Sequence, residues 1–174
     1  MNLFKIFILI SISVSFIRCE YYMSEVPISN ERYSKIDTNV VGAWANFTDK
    51  GKLEMAIKIN ALDNHKYIFN LVNFTEEGER LAMFENYIAY SSTINNQIYI
   101  NTRALDNKKK ERYFFYKYLI KEDTLFTYAI FEKQFKQKFT SAKKFRKYIK
   151  NNEDDFNKKF REHQRFIRIH PSPK

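Results

Sequence analysis

Side chains able to do chemistry are few and scattered in this chain. Its three histidines are His65, His163 and His170. His163 and His170 lie seven apart, the spacing of one helix face, but the surrounding arginines oppose a bound cation, so they read as exposed histidines and no metal site is expected. The acidic pairs Glu76/Glu77, Glu122/Asp123 and Asp154/Asp155 all fall where acids serve turns or helix starts. No Ser, His and Asp occur in an order that includes a nucleophile elbow, and the single Cys19 has no histidine placed to activate it. With three glycines in the whole chain, no glycine-built phosphate loop is available. The expectation is a protein that is not an enzyme, with no catalytic residues, no metal and no cofactor.

Function must then come from elements that build a surface or a cavity. The chain has 174 residues, enough for one domain. Residues 1–18 (MNLFKIFILISISVSFIR) carry Lys5 and a short apolar run diluted by serines. Leu3 to Ile17 is too short for the roughly 20 residues of a membrane-spanning helix, so the segment reads as a secretory signal. Ser13-Val14-Ser15 offers one cleavage site. Cys19 just beyond the apolar run offers another, with acylation as its consequence, although Arg18 fits poorly before a lipidated cysteine. The protein is expected to be exported, either tethered to a membrane through Cys19 or free in the periplasm or medium.

Residues 19–39 show no period and read as a lead-in. From Val40 the pattern is that of strands. Leu53, Met55, Ile57 and Ile59 alternate with Glu54, Ala56, Lys58 and Asn60, which puts one apolar face on a strand. Further strand candidates are Val40–Phe47, Lys66–Asn73, Gln97–Thr102, Arg112–Lys121 and Thr124–Glu132, with Arg80–Tyr90 fitting a helix or, as its turn-bounded neighbours favour, a strand with a bend near Asn86. Short turns such as Asn95-Asn96 and Glu122-Asp123 join several of them, and Asp106–Glu111 is a charged loop. Parallel pairing needs a crossover of a dozen or more residues, and none is present. The fold class is therefore mainly β: an antiparallel up-and-down meander over residues 40–132 that hides its apolar face by closing into a barrel or folding into a sandwich.

The period turns helical after residue 132. Thr140-Ser141 caps a helix with Phe145, Tyr148 and Ile149 on its inner face. A second helix starts at Glu153, Asp154 and Asp155 and carries Phe156 and Phe160. Residues 165–174 fit either an eighth strand or a frayed helix end. Residues 133–174 form the basic C-terminal segment, with fourteen Lys/Arg against four acids, whereas residues 20–132 hold fourteen against sixteen. Lys143, Lys144, Arg146, Lys147 and Lys150 are expected to form a basic surface, either as a solvated face or facing an anionic membrane or cell-wall polymer.

Val41-Gly42-Ala43-Trp44 at the opening of the first strand resembles the Gly-x-Trp start of lipocalins and lipocalin-like (calycin) barrels. That resemblance implies a closed barrel with Gly42 and Trp44 as the plug of one end, and a small hydrophobic ligand inside. A Thr-Asp-Tyr turn and a late Arg laid over the Trp, further elements of that family, have no match that the sequence reveals. The stretch Phe139–Phe160, starting Phe-Thr-Ser, resembles the ending of small exported bacterial lipoproteins of unknown role. Twelve Tyr and seventeen Phe either fill such a barrel or line its cavity, and filling is the simpler expectation. The leading expectation is thus an exported, lipocalin-like binding protein. The alternative is an envelope interaction protein with a filled barrel as scaffold and the basic segment as its contact. Nucleic acid is not an expected partner of an exported chain. Asn46-Phe47-Thr48 and Asn73-Phe74-Thr75 match glycosylation sequons.

Overall fold

The computed structural model describes residues 20–75, 77–105 and 112–170. The export signal, Cys19, Glu76 and the Asp106–Glu111 loop lie outside the described residues. Strands β1 (Gly42–Phe47), β2 (Leu53–Ala61), β3 (Tyr67–Phe74), β4 (Arg80–Ile94), β5 (Gln97–Ala104), β6 (Phe114–Lys121) and β7 (Thr124–Ile130) follow one another. Helices α1 (Ala142–Asn151) and α2 (Glu153–Asn157) come next, and the chain ends in β8 (Phe160–Ile169). Every strand pairs antiparallel with its neighbours in sequence, and β8 pairs with β1 through Ala43 opposite Ile169, closing an eight-stranded barrel. Asn95 and Asn96, at φ 46° and 65°, take the left-handed conformation that a tight β4–β5 hairpin needs.

Two sequence boundaries move. The barrel does not end at residue 132, because β8 returns to fill the gap between β7 and β1. Phe160 accordingly belongs to a strand rather than to the second helix, which stops at Asn157. Local pattern favoured helix there because Phe156 and Phe160 are four apart. The pairing partners that convert the stretch to strand lie thirty or more residues away in β7 and more than a hundred away in β1.

The aromatic residues serve two cores. One lies inside the barrel and includes Val40, Trp44, Ile59, Tyr67, Ile100, Leu125 and Phe166. The other lies outside the sheet, where Phe145 and Ile149 of α1 and Phe156 of α2 pack on Tyr99, Phe115 and Phe160. Ser141 caps α1 by accepting a hydrogen bond from the Lys144 N–H at 3.3 Å, so the expected start of this helix stands. Phe139 stacks on Phe145 with ring centroids 4.1 Å apart.

The lead-in, featureless as sequence, is tied to β4 and β5 by polar groups. Asn101, fully buried, accepts from the Ile28 N–H and donates to Ser92 Oγ. Ser29 pairs with Ser92 at 2.6 Å and Ser34 with Ser91 at 2.9 Å. Buried hydroxyls and amides must find partners, so this network specifies one path for the segment. Its first residues enter the sheet. Tyr22 N–H donates to Ile130 C=O, and Ser24 exchanges backbone bonds with Tyr113.

Candidate functional site

The interior of the barrel is not filled. A cavity of about 250 Å3 runs between Val40, which packs in one core with Trp44, at one end and Glu85 at the other. Strand alternation supplies the wall. Met55, Ile57 and Ile59 of β2 face Tyr67, Phe69 and Leu71 of β3, and Tyr116, Leu125 and Phe166 complete the apolar lining. The face of β2 that the sequence marked as apolar is the inward one.

One end is shut by a single construction. Trp44 is fully buried and its indole N–H donates to Val40 C=O at 2.9 Å, across the 3₁₀ turn Thr38–Val40. The Arg168 guanidinium lies 4.0 Å from the Trp44 ring centroid and donates to the carbonyls of Val41 at 3.2 Å and Asn39 at 2.5 Å. A late arginine over the tryptophan is therefore present after all. The sequence does not single it out, because residues 165–174 fit either a strand or a helix end and several arginines crowd that stretch. Gly42 sits at φ 144°, and a Cβ there would meet Arg168 Nη1 at 3.0 Å, so the glycine lets the arginine in. Nearby, Tyr118 donates to Asp37 at 2.7 Å and the Asp37 N–H donates to Tyr67 at 2.6 Å, which fastens the lead-in across this end.

The other end is polar and open. Glu85 is solvent-exposed and accepts a hydrogen bond from the Tyr87 hydroxyl. Tyr21 reaches in from the lead-in, its hydroxyl 2.9 Å from His163 Nε2 and its ring within 5.3 Å of the imidazole. Tyr116 stands beside them, 6.3 Å from the Tyr21 ring. Burial raises the Tyr116 hydroxyl pKa, and the neighbouring Tyr21, Tyr87 and Glu85 raise it further. Burial also raises Tyr87, with the Glu85 carboxylate adding to it. Burial lowers the His163 pKa, which favours its neutral form. Lys117 borders the cavity, but its amine bonds Gln97 and Asn157 at 3.0 and 3.2 Å. Thr102 lines the wall at 4% exposure, and its hydroxyl has no hydrogen-bond partner among the described residues.

Most of this end escaped the sequence reading. His163 was expected on an exposed helix face and instead lies on β8 in the cavity wall. Glu85, Tyr87 and Ala89 alternate on one face of β4, and a charged residue in that row is the only local sign of a site. At the sequons, Asn46 donates its amide to Arg165 C=O at 2.9 Å, and Asn73 lines the cavity. Lys143, Lys144, Lys147 and Lys150 are exposed on α1, while Arg146 turns to donate to Thr93 C=O at 2.9 Å. His65 and His170 lie apart from the cavity, at Ser34 C=O and Asp123. Among the described residues no group of three His, Cys, Asp or Glu is placed to hold a metal ion.

The fold and cavity define a closed, antiparallel, eight-stranded barrel with one shut end and one polar mouth. No family model, curated protein or solved structure matches the chain.

Proposed function

We propose that this chain is an exported, lipocalin-like binding protein that holds a small apolar or amphipathic ligand inside its barrel. The cavity of about 250 Å3 within a closed barrel carries this reading. It lies just under the roughly 300–1,000 Å3 typical of ligand pockets, which suits a small molecule. The unpaired Thr102 hydroxyl supports a ligand with a hydrogen-bonding group, because a buried polar atom without a partner costs about 1–3 kcal/mol. The Gly42, Trp44 and Arg168 construction supports the lipocalin-like assignment, and the composition of residues 1–18 supports export, with Cys19 as a lipid attachment point.

Native mass spectrometry of the protein purified from its own source tests the proposal. The expected result is a discrete mass increment that an added apolar dye displaces. A clean ligand-free mass together with no dye uptake rejects it.

A second reading rests on the four exposed lysines of α1, which face away from buried Phe145 and Ile149. They suit contact with an anionic surface, the barrel then serving as the support that presents them.

A further inference from the structure

The carrier reading leaves the ligand's chemistry open, and the polar mouth narrows it. Among the described lining side chains, Glu85 alone brings a formal charge to the cavity. The Lys117 amine is turned to the outside, and desolvation of the half-buried His163 favours its neutral form. A carboxylate has about four acceptor sites, and the Tyr87 hydroxyl occupies one of them. Three tyrosine rings gather at the same end. Tyr21 and Tyr116 are 6.3 Å apart, and Tyr87 joins them through Glu85. An aromatic surround with one carboxylate attracts a cation twice, through the ring faces and through a charge-assisted hydrogen bond. A carboxylate ligand would meet Glu85 as a like charge. The wall deeper in, Ile57, Phe69 and Phe166, is apolar. The unpartnered Thr102 hydroxyl, 4% exposed, is an independent sign that a polar ligand group belongs in the cavity.

We propose that the cavity selects a small organic amine, its ammonium group at Glu85 among Tyr21, Tyr87 and Tyr116 and its apolar body pointing toward Trp44. This rests on the carrier reading and goes beyond it by excluding fatty carboxylates and preferring cations over neutral molecules of the same shape.

Isothermal titration of the full chain with three probes of similar size tests it: 2-phenylethylamine, 2-phenylethanol and 3-phenylpropanoate. The amine is expected to bind at least tenfold tighter than the alcohol, and the carboxylate weakest. Glu85→Gln should lower amine affinity tenfold or more and leave the alcohol within twofold. Glu85→Asp, which keeps the charge, should retain most of the preference. Glu85 is exposed, and an unchanged thermal melt of both variants verifies that they fold. Equal binding of amine and alcohol, tightest binding of the carboxylate, or an unaltered preference in Glu85→Gln overturns the amine assignment. Uptake of a neutral apolar dye without amine binding also overturns it and leaves the carrier reading standing. Failure of the dye and all three probes overturns both.

Discussion

Arg168 ties the last strand to the first turn of the barrel. Its guanidinium covers the Trp44 ring and satisfies the backbone carbonyls of Asn39 and Val41, just before Gly42. Arg168→Met keeps the hydrophobic stem but loses the cation–π contact and both bonds. The expected loss is about 2 kcal/mol in urea unfolding. A change below about 0.5 kcal/mol would mean that water replaces the arginine without penalty. His163 makes a pH-dependent contribution. Its pKa is lowered in the fold by burial, so the unfolded chain binds the proton more readily. Stability is therefore full above the ordinary histidine value of about 6.5 and falls as pH drops below it. The urea midpoint should decline between about pH 7 and pH 5, and His163→Gln should flatten that decline. An equal slope in the variant would assign the titration to other groups. Neither role shows locally: Arg168 is one of several arginines in its stretch, and a histidine buried by a strand looks like any other histidine.

At the scale of elements, β8 decides whether there is a barrel at all. It pairs with β7 over most of its length and with β1 at its end. Removing residues 141–174 takes away α1, α2 and β8 together, and exposes the edges of β1 and β7. Open edges of this kind invite pairing with other chains. The truncated protein should lose cooperative unfolding and aggregate in size-exclusion chromatography. A monomeric, cooperatively folding truncation would show that β8 is dispensable. The lead-in teaches the reverse lesson. Its serines and asparagines carry no hydrophobic period, so pattern reading takes it for a loop, yet hydrogen bonds to Ser91, Ser92 and Asn101 fix its course.

The whole molecule separates its basic helix from its cavity. The exposed lysines Lys143, Lys144, Lys147 and Lys150 stand on α1, outside the sheet, while the polar mouth is lined by tyrosines and Glu85. Contact with an anionic surface is thus testable without disturbing the barrel. If α1 is the contact, binding to phosphatidylglycerol-rich vesicles should weaken as salt rises, because screening shortens the reach of each charge. Reversing the four lysines to Glu should abolish it, each lysine contributing about 1 kcal/mol near such a surface. Salt-insensitive binding, or binding unchanged in the variant, rejects the surface reading.

What the sequence determined by itself was local. Alternating apolar residues, paired Asn at a hairpin, a Ser cap and crossover-free spacing are enough to specify antiparallel strands and a helix, because each depends on neighbours a few residues apart. Tertiary structure alone decided the rest. Closure by β8, the arginine over Trp44, the split of the aromatics into two cores and the meeting of Tyr21, Glu85, Tyr116 and His163 join residues up to about 140 positions apart. Such contacts depend on barrel register and on the path of the lead-in, and no short window of sequence contains either.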